Sequence, residues 1–347
     1  MIRVATKNVY GDEMRVETSI VPELIEGGTR LIRELAQEGI QLRPFAQWGN
    51  QIRDAAVFWD CPNMEDPDLR ACVDRRIPFL LVISENLHLQ PNPTYGQMKA
   101  LARRVLTYQE NEVDYKKTFW LPYGLNLAAG RRFRESVEGI SRPYLLGMIN
   151  AWKKSEMPGD LYARRNRIAV AAGKTLGSKM LLAGCGWGQP LVYEQKWQRS
   201  LAKRIPAFVR WLTGWPNSAY SGPLPLGNSK LPALARCEFA LVPENCSSLA
   251  GYITEKIFNA LFAGCIPIYQ GHPDSSRWLP REIFVPMDQF ADGATLVNFL
   301  QTMPQEKKEE LKQAGKKFLD GGEARRFDIS SWTAAIKEQI FALKKES

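Results

Sequence analysis

Between Phe239 and Gly271 the chain reads FALVPENCSSLAGYITEKIFNALFAGCIPIYQG, and side chains able to do chemistry crowd into it. A carboxylate, an amide, a thiol and two hydroxyls follow one another at Glu244, Asn245, Cys246, Ser247 and Ser248. Glu255 and Lys256 come next, and His272 lies just beyond. Placed on a helix at roughly 100° per residue, residues 252–264 put Ile253, Ile257, Ala260, Leu261 and Gly264 on one face. Phe258 and Phe262 widen that face. A narrow polar stripe holds Tyr252, Glu255, Lys256 and Asn259. Such a helix is buried on most sides and shows one strip to something polar. Glu255 near the helix start agrees with the macrodipole, whereas Lys256 opposes it by a fraction of a kcal/mol. Two readings stand. Either Lys256 is a solvated surface residue, or an anion such as a phosphate sits at the helix N-terminus and Lys256 adds to its attraction.

The surrounding elements must position these groups. MIRVAT, AAVFWD, PFLLVISE and VLTYQE read as short apolar strands, separated by helical patterns in PELIEGGTRLIRELAQEG, DPDLRACVDR and TYGQMKALARR. The second half repeats the alternation, with strands in PYLLGMINA, KMLLAGCG, EFALVPE, CIPIYQG and EIFVPM and a helix in GDLYARRNRIAVAAG. Three helix patterns close the chain: GATLVNFLQTM, QEKKEELKQAGKKFLD and SSWTAAIKEQIFALKK. All-apolar strands between helices predict parallel sheets covered on both faces. Two α/β domains in tandem, meeting near residues 125–145, are the expectation. Ligands of such folds bind beyond the carboxyl ends of the strands, which places the expected site in the cleft between the domains.

The bulk numbers agree with a soluble globular chain. It has 347 residues, 45% hydrophobic, 10% aromatic and 24% charged, enough for two domains with ample core. No run approaches the length of a transmembrane helix. The first residues carry the pattern of a strand rather than of a signal peptide. The six cysteines are scattered in or beside apolar runs without a CxxC, which points to buried thiols in a reducing cytoplasm. A net charge of +9 suits an anionic partner. A nucleic-acid partner is set aside, because no RNA- or DNA-binding signature accompanies the charge. Asp66 and Asp68 form an Asp-x-Asp, yet Pro67 follows Asp66 at the start of a helix pattern. They read as an N-cap with proline at the first helical position, and no metal site is expected. Residues 196–216, KWQRSLAKRIPAFVRWLTGWP, are basic and rich in Trp. They read as a surface helix interrupted at Pro206, with peripheral membrane contact as the alternative.

Residues 238–290 resemble the signature of glycosyltransferase family 10, the α1,3/4-fucosyltransferases. The match runs through Glu244-Asn245, Tyr252-Ile253-Thr254-Glu255-Lys256, Gly264-Cys265-Ile266-Pro267-Ile268, Gly271 and the Phe284-Val285 strand. Weaker echoes lie in LTYQENEVDYKKTFWLPYG, LYARRNRIA and GPLPLGNSKLPALARCEFALVPEN, so the likeness spans most of residues 80–290. The resemblance implies the GT-B arrangement, two Rossmann-like domains facing a cleft, with C-terminal helices. Residues 1–135 would bind the acceptor, 136–325 the donor, and 326–347 would form a terminal helix. It implies inverting transfer of fucose from GDP-fucose to a hydroxyl of an oligosaccharide or lipid-linked glycan, GlcNAc-containing and α1,3-linked. No metal or other cofactor is implied. The setting expected from the buried thiols is the cytoplasm, peripheral at the inner membrane face if residues 196–216 contact lipid. By the same resemblance Lys256 and Arg165 would grip the diphosphate, with Arg164 open as a substitute for the latter. Glu255 would hold the ribose or stabilise developing positive charge, Tyr252 would line the nucleotide pocket, and Asn245 would shape the loop beneath the donor. Glu85 would be the general base, with His88 open as base or orienter. Inverting transfer requires these types: a carboxylate to take the acceptor proton and cations for the departing diphosphate. The sequence departs from the family at Pro243, Cys246 and His272-Pro273-Asp274, which keeps open another nucleotide sugar as donor. A separate alternative is an inactive glycan- or nucleotide-binding module.

Overall fold

The computed structural model describes residues 2–8, 22–48, 54–84, 86–87, 91–187 and 230–345. Glu85, His88 and residues 196–216 lie outside the described residues. The chain divides into two compact units.

The first unit comprises Met1–Ala128, Leu249–Ile253 and Gly321–Ser347. Its elements are β1 (Ile2–Asn8), α1 (Pro22–Gln37), β2 (Ile40–Pro44), α2 (Phe45–Trp48), β3 (Ala55–Trp59), α3 (Pro67–Asp74), β4 (Phe79–Ile83), α4 (Tyr95–Leu101), β5 (Arg104–Thr107) and β6 (Thr118–Trp120). The strands form one sheet in the order β2-β1-β3-β4-β5-β6, and every pairing is parallel. A strand such as β4, Phe-Leu-Leu-Val-Ile, is buried at all five positions because helices cover both faces of the sheet. Helix α3 begins as its sequence predicts: the Asp66 carboxylate accepts from the N–H groups of Asp68 and Leu69, with Pro67 at the first position. Lys7 pairs with Asp66 and Asp68 at 2.7 and 2.8 Å, so the Asp-x-Asp pair holds an ammonium.

The terminal helix α5 of the first half (Leu127–Ser136) carries the boundary in its first turn, between Ala128 and Ala129, earlier than the expected 135. The last helix of the chain, α11 (Ile329–Lys345), is an integral part of the first unit rather than a separate appendage. Its face of Ile336, Ile340 and Leu343 is buried against Val57, Leu80, Val82 and Leu106 of the sheet and Leu31 and Leu35 of α1. Burying that apolar stripe on the first sheet is what draws the chain back.

The second unit comprises Ala129–Ser248 and Thr254–Asp320. It contains β7 (Tyr144–Ile149), α6 (Tyr162–Leu176), β8 (Met180–Ala183), α7 (Lys230–Leu234), β9 (Cys237–Leu241), α8 (Glu255–Phe262), β10 (Ile266–Tyr269), β11 (Val285–Pro286), α9 (Gly293–Thr302) and α10 (Gln305–Asp320). The sheet order is β11-β10-β9-β7-β8, again parallel throughout. After β8 the chain returns to the other side of β7, so the order reverses between β7 and β9. In doubly wound sheets that switch point opens a crevice beyond the strands' carboxyl ends. Among the described residues no helix is long and apolar enough to cross a membrane.

Candidate active site

The loop joining β9 to α8 is organised around one buried carboxylate. Glu244 has no exposed surface, and the loop is built to satisfy it. The Thr254 N–H donates to Oε1 at 2.8 Å and the Thr254 hydroxyl to Oε2 at 2.8 Å. The Tyr269 hydroxyl reaches Oε1 at 3.4 Å. The Lys256 ammonium completes the set, 3.2 Å from Oε2 and 2.9 Å from Thr254 Oγ1. A buried carboxylate requires such partners, because an ion removed from water without them is strongly disfavoured.

This geometry corrects one sequence expectation and removes one of two readings. The helix begins at Glu255, not Tyr252: Thr254 is its N-cap in extended conformation. Upstream, Gly251 adopts φ +80°, where a Cβ would stand 2.6 Å from the Tyr108 carbonyl oxygen and 2.9 Å from Trp120 Nε1. The chain must break there, and Leu249–Ile253 belongs to the first unit. Nor is Lys256 a solvated surface residue. Its side chain is 10% exposed and faces the Glu244 carboxylate, which offsets its unfavourable position at the positive end of the helix dipole. The Thr254 side chain, engaged with Glu244, makes no capping bond to the first turn of α8.

Arg165 bridges the switch point of the second sheet. It projects from the first turn of α6 and is 2% exposed. Its Nη2 donates to the Ala151 carbonyl after β7 at 2.8 Å, and Nη1 approaches Asn245 Oδ1 after β9 at 3.5 Å. The guanidinium lies 4.5 Å from the Tyr162 ring centroid. Asn245 itself is tied to α6, since its carbonyl accepts from the Leu161 N–H at 2.9 Å. Arg164 points elsewhere, donating to the carbonyls of Asp288 and Phe290 at 3.0 and 3.1 Å. Of the two arginines, Arg165 is therefore the one beside the Glu244-Asn245 loop.

Glu255 lies at the start of α8 with Lys230 3.5 Å away. Burial alone would raise its carboxyl pKa, yet the charges of Lys256 and Lys230 hold it below the ordinary value, so it is an anion at neutral pH. Tyr252 is brought together with the first unit instead, 7% exposed, its ring 4.9 Å from that of Tyr108. His272 caps a short 3-10 turn, Nδ1 accepting from the Asp274 N–H at 3.1 Å. Among the described residues no group of three or more His, Cys, Asp or Glu could hold a metal ion.

Glu85 lies outside the described residues, but its predecessor is anchored. Ser84 donates its N–H and hydroxyl to the Asp60 carboxylate at 2.8 and 2.5 Å. Asp60 is buried and sits at φ +61°, an uncommon conformation for a residue with a side chain. Asp60→Ala, which removes both acceptors and keeps the strain, is expected to destabilise the protein by about 1.5–3 kcal/mol, read as a lower urea midpoint with unchanged m-value. Sequence reasoning assigned no role to Asp60 and none to Glu244 beyond membership of a polar loop. Asp60 carries one signal, an acidic residue ending an apolar strand. Glu244 stands twelve residues from its lysine, and no local pattern links them.

Two parallel α/β units, with a cation-bearing polar cluster at the carboxyl ends of the second sheet, form the fold of the GT-B glycosyltransferases. Solved structures show it across the whole chain. Anabaena Alr3699/HepE in complex with UDP-glucose matches with TM-score 0.59 at 12% identity, covering 99% of this chain and 100% of that one. An α1,3-fucosyltransferase with GDP-fucose matches with TM-score 0.50 at 16% identity, covering 97% and 89%. Within this class the sequence is more specific. Residues 225–313 match the family described as Glycosyltransferase family 10 (fucosyltransferase) C-term. The mouse (Mus musculus) α-(1,3)-fucosyltransferase 7 is 42% identical over 79 residues, 22% of this chain and 20% of the mouse protein. The chain thus spans about a fifth of the length of that relative.

Proposed function

We propose that the protein transfers fucose from GDP-fucose to a hydroxyl of a glycan acceptor, with inversion, forming an α1,3 linkage to a GlcNAc-containing oligosaccharide or lipid-linked glycan. The observation that carries this reading is the pairing of Lys256 with the buried Glu244, with Arg165 at the adjoining Asn245 and Lys230 beside Glu255, inside and beside the segment that matches the family model. With Glu244 and Glu255 ionised, Lys256, Arg165 and Lys230 leave one net positive charge. That charge meets a diphosphate at the uncapped first turn of α8, where backbone N–H groups also face an anion. Lys256 and Arg165 take the charge that develops as the diphosphate departs. Their anchors, Glu244, Ala151 and Asn245, hold them in place before the donor arrives. Glu255 takes the ribose or the developing positive charge of the sugar, and Tyr252 borders the nucleotide. Glu85 removes the acceptor proton during in-line attack. The setting in this reading is the cytoplasm, peripheral at the inner membrane face.

The departures at Pro243, Cys246 and His272 favour one second reading, another sugar nucleotide as donor. A panel of GDP- and UDP-sugars with a GlcNAc-containing acceptor separates the two. The expected result is GDP release and product only with GDP-fucose, abolished in Glu85→Gln while GDP-fucose binding persists. Turnover with another sugar nucleotide and none with GDP-fucose overturns the first reading.

A further inference from the structure

We propose that the edge of the first sheet at the starts of β4, β5 and β6 is a docking surface for an anionic lipid bilayer. Among the described residues five large apolar side chains are exposed, and three stand on this edge: Tyr115 at 71%, Val73 at 44% and Leu101 at 44%. Backbone hydrogen bonds bring their elements together. The end of α3 turns into β4 through the Ile77 N–H on the Cys72 carbonyl at 2.8 Å. The Arg103 N–H, just after α4, donates to the Phe79 carbonyl at 3.0 Å. The Val105 N–H donates to the Lys117 carbonyl at 2.8 Å, and Lys117 Nζ to the Ala100 carbonyl at 3.0 Å. The three apolar tips therefore come from three separate elements that end on one side of one sheet.

The turn that presents Tyr115 is held rigidly. The Asp114 carboxylate accepts from the N–H groups of Lys116, Lys117 and Thr118 at 2.9, 2.8 and 2.8 Å, with Tyr115 at φ +52°. An aromatic ring kept exposed on an anchored turn is placed for a partner rather than for the core.

Cations surround these tips. Arg75, Arg76, Arg103 and Lys116 are exposed. Lys117 has its pKa lowered, by burial first and then by the neighbouring Lys99 and Arg103 against the opposing pull of Asp114. The carboxylates nearby are fewer than the cations: Asp114, held by its three N–H donors, Glu112, paired with Lys99 at 2.7 Å, and the exposed Asp74. Isolated apolar tips within a basic field match the interface of an anionic bilayer, where the rings and methyls enter the headgroup layer and the cations meet lipid phosphates and carboxylates. A single nucleic-acid strand would use the tyrosine and the cations but leave Val73 and Leu101 in water. The surface thus favours lipid.

The test is co-sedimentation of the full chain with vesicles of phosphatidylcholine alone or mixed with phosphatidylglycerol. Binding is expected only with the anionic lipid, and to fall with added salt. Arg75→Gln with Lys116→Gln should weaken it about 25-fold, since each cation near an anionic surface contributes roughly a factor of five. Leu101→Ser with Tyr115→Ser should weaken it at least about tenfold. All four side chains are exposed, so melting temperatures should match the parent, and Lys307→Gln with Lys344→Gln should bind as the parent does. Equal binding to neutral vesicles overturns the proposal. So does parental binding by both patch variants, or loss of binding through Lys203→Gln with Arg204→Gln alone. Binding of a single-stranded RNA that the patch variants abolish, with no vesicle binding by the parent, assigns the surface to nucleic acid instead.

Discussion

Glu244→Ala is expected to destabilise the second unit by about 3–5 kcal/mol, the cost of removing one member of a buried ion pair. Glu244 is fully buried, and Lys256 beside it is 10% exposed, so the ammonium left behind has little water to replace the lost carboxylate. The Thr254 N–H and hydroxyl lose their acceptor in the same step. Urea unfolding checks this, and a double-mutant cycle locates the cause. Glu244→Ala with Lys256→Ala should be less destabilised than the sum of the single changes, because the stranded charge is gone. Strict additivity would show that the pair does not couple. Glu244→Gln should fall between, since an amide still accepts from Thr254 but cannot neutralise the lysine.

Lys256→Ala tests the chemistry. If the ammonium neutralises the departing diphosphate, kcat/KM for transfer from GDP-fucose should fall by about 10²–10³, the range seen when one charge-stabilising donor is removed. Most of the loss should appear in kcat, because charge builds up on the leaving group in the transition state. Lys256→Arg should recover only part. The ammonium sits 2.9 Å from Thr254 Oγ1 and 3.2 Å from Glu244, a pocket shaped for a compact cation rather than a planar fork. A stable Lys256→Ala protein with parental kcat/KM would remove Lys256 from the donor site. The two experiments are independent: the first reads the folding of the loop, the second its action on a substrate.

What the sequence determined by itself is local. The apolar run of β4 and the alternation of strand and helix make two parallel α/β units legible, since burial on both sheet faces leaves strands with few polar residues. The cap of α3 is legible too, because Asp66 and Pro67 act on their immediate neighbours. The short β6, three residues long, has too little length for a pattern, and in β2 Gln41, Arg43 and Pro44 break up the apolar run. The start of α8 also escapes it. Tyr252 and Ile253 fit the helical wheel, but Gly251 at φ +80° and the bonds from Thr254 to Glu244 move the first turn to Glu255.

Tertiary structure alone decided the rest. Whether Lys256 met water or a counter-ion depended on a carboxylate twelve residues away, which only the packing of β9, β10 and α8 brings to it. Arg165 rather than Arg164 reaches Asn245 because one helix face turns toward the sheet and the other toward the loop of Asp288 and Phe290. The last helix joins the first unit because its apolar stripe is buried there, far along the chain from the strands it covers. Periodicity records that a face is apolar. Which surface it meets is settled when distant segments compete for the same burial.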